Sequence, residues 1–326
     1  MEYKVYKIRK PGGGFRIIHK PDQELLDISN DYLRILTQTL NKNGWYKKYT
    51  DHSFAYQKGK SCKTLVEKLI KDTSQSNSGL LYDLYSIDVK NFFGSISMYS
   101  YAAAINDLYR EGLISELQNS FFDKIWSLIY IGDGTSDIGT GIAQGNPLSP
   151  IISNIIGWHY FDKDRFGLND IGGSRFGHYY RYSDNIFIIA ERRTSKFTRP
   201  YLLSKLKKHM EDLHGTFEFT WKVSSNLHSN SILGIRIGKK PQLEDKKWLR
   251  SVFYRASIRG PLMMGDEDIK DHFGLKTFED FQSILKGLSS YAQSIDPSMK
   301  EYIDNHPPMT KISEMPIPSW LKIARP

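Results

Sequence analysis

The amino-acid sequence predicts an α+β fold, on three observations. Aromatic and β-branched residues run through His178 to Ala190 in two short stretches that meet at Asp184-Asn185, the pattern of two strands joined by a two-residue turn. A second apolar stretch, Leu84 to Val89, reads as a strand that carries Asp88 to its end, with Phe92-Phe93 just beyond. Around these strands apolar residues recur at three- and four-residue spacing, as in Leu25, Ile28, Tyr32, Ile35 and Leu36, which is the stripe of a core-facing helix.

The two aspartates suggest the chemistry. Asp88 and Asp184 are far apart in sequence and can meet only if their strands are neighbours in one sheet. Paired carboxylates of this kind suit a hard cation such as Mg²⁺, and two-metal phosphoryl or nucleotidyl transfer requires them. Asp and Asn are also ordinary hairpin-turn residues, so taken alone the tip reads more simply as a turn.

Composition narrows the class. A chain of 326 residues with 40% hydrophobic and 25% charged residues is globular, with a large core and room for several subdomains. The net charge is +9, and residues 1–60 hold twelve Lys or Arg against six Asp or Glu. Such an excess suits a polyanionic partner, because cations displace counterions from phosphates; a solvated lysine-rich surface accounts for it equally well. The 20 Tyr and 17 Phe serve a core and could also stack on bases. One cysteine, Cys62, excludes an intramolecular disulfide and a cysteine-based zinc site. No apolar run approaches the roughly 18 residues of a membrane span, and none follows the first charged residues, so a cytoplasmic protein with no membrane partner is expected.

In chain order, residues 4 to 20 read as strand, Pro11-Gly12-Gly13-Gly14 turn and strand, with Lys7, Arg9, Lys10, Arg16 and Lys20 on the hairpin. Its glycine-rich tip could fold over a triphosphate or be an ordinary surface hairpin, and it is neither a P-loop nor a dinucleotide fingerprint. A helix is expected over Asp22 to Leu40. Next, Asn41 to Thr50 interleaves Trp45, Tyr46 and Tyr49 with Lys47 and Lys48, which suits nucleic acid or a loop anchored by its rings. Ser53 to Ser61 leads into a helix to about Asp72, and residues 98 to 130 are mainly helical. Leu148, Ile151, Ile152, Ile155 and Ile156 mark one face of a helix, so the Gln144-to-Pro147 loop at its start is held rigidly. A helix over Pro200 to Leu213, strands over Phe217 to Val223 and Ser231 to Ile237, and a helix over Thr277 to Ile295 follow.

The order of these parts is recognisable. Asp88 with Phe92-Phe93, then Gln144-Gly145-Asn146-Pro147-Leu148-Ser149-Pro150, then Tyr182-Ser183-Asp184-Asn185, then Leu233-Gly234, resembles palm motifs A, B, C and E of reverse transcriptases. The Lys10 to Lys20 hairpin and the Phe54 to Ser61 stretch resemble the fingers motifs of the bacterial branch, which includes group II intron, retron and phage-defence enzymes. The resemblance spans roughly residues 4 to 237. It implies a right-hand polymerase with fingers (1–80), an antiparallel palm packed on helices (81–239, with a helical insertion at about 98–140) and a helical thumb (240–326).

By the same resemblance, Asp88, the Val89 carbonyl and Asp184 would hold two Mg²⁺ ions, with Mn²⁺ as the alternative, and Asn185 would complete the catalytic set. Lys10 and Arg16 would meet the triphosphate, Phe93 would exclude a 2′-hydroxyl, and Gln144 and Gly145 would shape the base-pair pocket. Lys222 would take the place of the motif D lysine. The implied partners are dNTPs, a DNA product and an RNA template, with a structured non-coding RNA expected, and a protein partner or second copy besides.

Three departures qualify the resemblance. Asn185 stands where motif C usually has a second Asp, which removes a negative charge from the site. Viral RNA polymerases with Gly-Asp-Asn remain active, so an active enzyme is expected. Ala143 replaces the usual proline before Gln-Gly. The retron thumb signatures are absent, which leaves a compact phage-defence enzyme of the unknown-group class as the nearest subgroup. Template-independent or protein-primed DNA synthesis, and a non-catalytic RNA-binding or structural subunit, are the alternatives.

Overall fold

The computed structural model describes residues 2–9, 15–74, 82–133, 140–164, 178–191, 198–238, 240–259 and 278–308. Two compact units are present: Met1–Tyr6 with Ile17–Asn230, and Lys7–Arg16 with Ser231–Pro326. Strands β1 (Tyr3–Arg9) and β2 (Phe15–Pro21) pair as expected, and Lys10 with the rest of the tip lies outside the described residues.

In the first unit, helix α1 (Gln23–Lys42) begins at Asp22, whose carboxylate accepts the Leu25 N–H at 2.8 Å and so satisfies a donor left over at the helix start. A short α2 (Trp45–Lys48) follows, with the Trp45 ring fully buried. That ring therefore anchors the loop, and among the two uses considered for this stretch Trp45 serves packing. Helix α3 (Cys62–Ser74) leads to β3 (Tyr82–Val89), and then come α4 (Phe92–Ser95), α5 (Met98–Arg110) and α6 (Asn119–Ile129). Strands β4 (Tyr130–Asp133) and β5 (Thr140–Ile142) form a small ribbon before α7 (Ser149–Gly157). A π-turn, Trp158–Asp162, continues α7; the sequence reading gave no sign of it.

Strands β6 (His178–Tyr182), β7 (Asn185–Glu191) and β8 (Phe219–Ser225), with helix α8 (Thr198–Asp212) between the last two, complete the unit. The sheet is antiparallel, in the order β6-β7-β3-β8. Residues alternate across it. Tyr85, Ile87 and Val89 of β3 join Ile186, Ile188 and Ala190 of β7 in one core with Leu36 and Leu40 of α1, Leu108 of α5, Ile125 of α6 and Ile152 of α7.

Two details of the strands differ from expectation. The hairpin turn is Ser183-Asp184, one residue earlier, and Asn185 is already paired with Tyr182 as the first residue of β7. The stretch Ser231 to Ile237 is not one strand but a tight hairpin, β9 (Ser231–Ile232) and β10 (Ile235–Arg236), turned by Leu233 (φ +52°) and Gly234 (φ +75°). Two consecutive left-handed residues make the turn whose twist matches antiparallel strands; leucine is a poor signal for it.

That hairpin opens the second unit, where β11 (Gln242–Leu243) extends the sheet and α9 (Lys246–Arg259), α10 (Phe278–Ile295) and α11 (Ser298–Asp304) pack by Val252, Phe253, Phe281, Leu285, Ala292 and Met299. The Tyr291 hydroxyl donates to the Leu233 carbonyl at 2.9 Å and ties α10 to the turn.

Gly141 is required where it stands. It has φ +74°, and a Cβ there would sit 2.3 Å from the Phe93 carbonyl oxygen and 2.7 Å from that of Gly94. Its lack of a side chain lets β5 lie against the backbone of α4. Gly141→Ala combines left-handed strain with overpacking against backbone, and is expected to cost about 3 kcal/mol. Chemical denaturation would measure this; a loss under about 1 kcal/mol would mean the approach is not tight.

Candidate active site

The site is assembled by strand register. In the β3–β7 ladder Asp88 lies directly opposite Asn185, and the Val89 N–H donates to the Asp184 carbonyl at 3.0 Å. On the other side Asp88 faces Thr220 of β8. Asp88, Asp184 and Asn185 are therefore brought to one end of the sheet, all half-buried. The Asn185 amide donates to Asp184 Oδ1 at 3.0 Å. Val89 is buried and directs its side chain to the core, so its backbone is what meets the site.

The turn that carries Asp184 is held from beneath. Ser183 has φ +57°, a conformation that costs a non-glycine residue roughly 1 kcal/mol or more unless its surroundings fix it. Its carbonyl accepts Arg181 Nη1 at 3.1 Å and its hydroxyl lies 3.3 Å from that of Tyr56. Arg181 is 1% exposed and forms a two-pronged ion pair with Asp162, also buried, through Nε and Nη2, each at 2.8 Å. Burial alone would lower the Arg181 pKa, but the Asp162 carboxylate more than offsets this and the net shift is upward.

Phe93 stands on α4 immediately after β3, half-buried and edge-on to the core residue Phe92 at 6.2 Å. The Gln144 carbonyl accepts the His19 N–H at 2.7 Å. Gly145 has φ +133°, and a Cβ there would lie 2.5 Å from the His19 carbonyl oxygen, so the backbone of β2 is what excludes a side chain. Lys222 is exposed on β8, opposite Ser86 and thus on the face that carries Asp88. Arg16 is exposed on β2 and belongs to the second unit.

Several residues of the site were not found from sequence. Asn146 is buried and fully used: its amide donates to the Tyr3 hydroxyl at 2.8 Å and the Ser29 hydroxyl at 2.9 Å, and its carbonyl oxygen accepts the Leu148 N–H at 2.9 Å. Burial of Tyr3 pushes its phenol up to about 12. The departure at Ala143 also has a use, because its N–H donates to the Ile129 carbonyl at 2.8 Å, a bond proline lacks the hydrogen to make. Arg181, Asp162 and Tyr56 were missed too, although an arginine inside an otherwise aromatic strand was a signal.

The donor set suits divalent cations. Two carboxylates, an amide and a nearby backbone carbonyl are all hard oxygen ligands, and among the described residues no group of three His, Cys, Asp or Glu offers an alternative centre. No described helix is long and apolar enough to cross a membrane.

Comparison with known proteins agrees with the fold. No family model matches the chain. Retron Ec83 reverse transcriptase of Escherichia coli is 25% identical over 314 residues, which cover 93% of this chain and 86% of that protein. Among solved structures, apo telomerase from Candida tropicalis superposes with a TM-score of 0.56 at 11% identity over 94% of this chain. The same enzyme in complex with a fragment of telomeric RNA gives 0.54 at 14% over 92%. The chain spans only 59% and 55% of those two telomerase chains, and at such identities the likeness is one of fold. Fold, ordered motifs and the retron relative agree: the chain has the right-hand polymerase fold and is similar to reverse transcriptases of the bacterial type.

Proposed function

We propose that the chain extends a DNA primer on an RNA template at the end of the sheet where Asp88 and Asp184 meet. The observation that carries this is the register that sets Asp88 opposite Asn185 with Val89 hydrogen-bonded to Asp184. In this reading Asp88, Asp184 and the Val89 carbonyl would hold two divalent ions, Mg²⁺ or Mn²⁺. When bound, such ions activate the primer 3′-hydroxyl and neutralise the leaving pyrophosphate. The chain itself aims the carboxylates and sets the distance between them. Asn185 holds one Asp184 oxygen through its amide, and Phe93 forms the wall against which the sugar of the incoming dNTP rests.

The reading extends to the rest of the chain. Residues 1–80 act as fingers, 81–239 as palm and 240–326 as thumb. The basic excess in residues 1–60 supports RNA as template, and we take a structured non-coding RNA, used in antiviral defence with a protein partner or a second copy, as the biological setting. The resemblance to the phage-defence branch supports that last step.

Incorporation of labelled dNTPs, with and without RNA copurified from the native host, tests the reading. Asp88→Ala and Asp184→Ala are expected to reduce incorporation by at least about 1,000-fold while melting like the wild type, since each removes a ligand of the ions that act on the reacting phosphate. Retained synthesis in either variant would remove the assignment, and wild-type synthesis without any nucleic acid would point to untemplated or protein-primed extension.

Sugar selection gives a second outcome. Phe93→Ala is expected to raise rNTP use relative to dNTP by about 100-fold, as loss of a steric wall worth roughly 3 kcal/mol would do. An unchanged ratio would show that Phe93 serves packing alone.

The metal dependence gives a third. Asn185→Asp adds a negative ligand, so half-maximal incorporation should need several-fold less Mg²⁺, about a factor of three to ten. An unshifted midpoint would show that residue 185 does not face the ions.

A further inference from the structure

We propose that Arg181 and Asp162 form a buried positioning device for Asp184, with Tyr56 as its outer brace. This rests on the reading of Asp184 as a catalytic ligand and deepens it.

The guanidinium of Arg181 is fully used. Nε and Nη2 form the fork to Asp162, Nη1 donates to Asn154 Oδ1 at 3.3 Å and to the Ser183 carbonyl at 3.1 Å, and Nη2 also donates to the Ser53 hydroxyl at 3.1 Å. All five N–H donors thus have acceptors, and one acceptor, the Ser183 carbonyl, belongs to the turn that ends in Asp184. The next residue's carbonyl is held by the Val89 N–H. Asp184 is therefore fixed by β3 on one side and by Arg181 on the other. The backbone of β6 is clamped as well: the Arg181 N–H donates to His52 at 2.8 Å, and its carbonyl accepts Phe54 N–H at 2.9 Å.

The π-turn is what lets Asp162 reach this position. Its i→i+5 bond, Lys163 N–H to the Trp158 carbonyl at 3.0 Å, stacks residues five apart. Gly157 and Asp162 are five apart, and both meet the guanidinium: Asp162 binds it, and a Cβ on Gly157 would lie 2.5 Å from its central carbon. In a regular α-helix residues five apart would be turned about 140° from one another and could not both do so. A rare helix form, a glycine and a buried ion pair thus converge on one turn.

Stability alone is a weak reason for such a pair, because a buried ion pair is often no better for stability than apolar packing. What apolar residues cannot supply is the directed bond to the Ser183 carbonyl. Tyr56 supports the same residue from outside. It is 51% exposed, has φ +57°, and its hydroxyl lies 3.3 Å from that of Ser183.

The test compares Arg181→Lys, Asp162→Asn, Tyr56→Phe and Asp184→Ala in the full chain, reading kcat and KM for single-dNTP incorporation together with amide exchange of the His178–Ala190 segment. Lysine keeps the charge and loses the fork. Arg181→Lys and Asp162→Asn are expected to lower kcat between about tenfold and 100-fold with KM within about twofold, as small misplacement of a reacting group does. Exchange should quicken at the turn while that of Gln23–Lys42 stays unchanged. Unchanged kcat, or exchange that rises throughout the first unit in step with the loss, would overturn the proposal in favour of a structural role. Should the buried variants not fold, Tyr56→Phe still decides: about threefold lower kcat at constant KM supports the brace, in line with loss of one weak hydrogen bond, and unchanged kcat overturns it. Wild-type incorporation by Asp184→Ala would instead remove the catalytic reading, and the proposal with it.

Discussion

The double hydrogen bonding of β3 governs the rest of the first unit. Because β3 lies between β7 and β8, its register is fixed from both sides, and a one-residue slip would turn every side chain to the opposite face. Tyr85, Ile87, Val89, Ile186 and Ile188 are each at most 2% exposed. At about 1.5–3 kcal/mol for each buried side chain, their combined contribution is comparable with the whole stability of a domain. A slip would drive Asp88 into that core and carry these side chains to the other face, where Leu84, Phe187 and Ile189 are already packed, and would not be tolerated. The apolar face thus fixes where the carboxylates stand, and their placement is a consequence of packing on the far side of the same strand.

The other parts reach this end of the sheet by backbone contact. Gly141 lets β5 touch the carbonyls of Phe93 and Gly94, and Gly145 lets the next loop touch the carbonyl of His19. Between them Ala143 donates to Ile129, and Asn146 ties the loop to Tyr3 and Ser29. These contacts are short and directional, so the loop cannot shift without breaking several. Phe93 and Gln144 are consequently held on rigid supports, the condition a shape-selective pocket requires.

Much of this was legible in the sequence for a simple reason: strands that bury one face alternate, and helices that bury one face repeat every three or four residues. Asp88 and Asp184 stood out because each interrupts an apolar run at its end. What the sequence hid is conformational. The turn falls one residue earlier than its Asp-Asn signature suggests, because Ser183 adopts a left-handed φ that serine rarely takes without support. Leu233 does the same, and so one expected strand is a hairpin. The π-turn at Trp158–Asp162 has no local signature, and the guanidinium it meets is distant in sequence. Arg181 was visible as a charge inside an aromatic strand, but its partner Asp162 lies nineteen positions away, and only the fold reveals that they meet.

Asn185 links the packing to the chemistry. A carboxylate at this position, next to Asp184 and across from Asp88, would add a third negative charge at one end of the sheet, and neighbouring like charges resist ionising together. The amide avoids that repulsion and donates to Asp184 Oδ1, so the two are held in place by the protein alone. In the proposed site the same amide would weaken the field that attracts a divalent cation, because affinity for such ions rises with the charge of the ligand set. The proposed site would therefore sit at a different balance from a three-carboxylate site: more of the geometry is fixed beforehand by hydrogen bonds, from Val89, Asn185 and the Arg181-held turn, and less of it would depend on an ion to gather mutually repelling groups. Rigid support beneath Asp184 would make that balance workable, since a ligand set with less charge can tolerate less disorder.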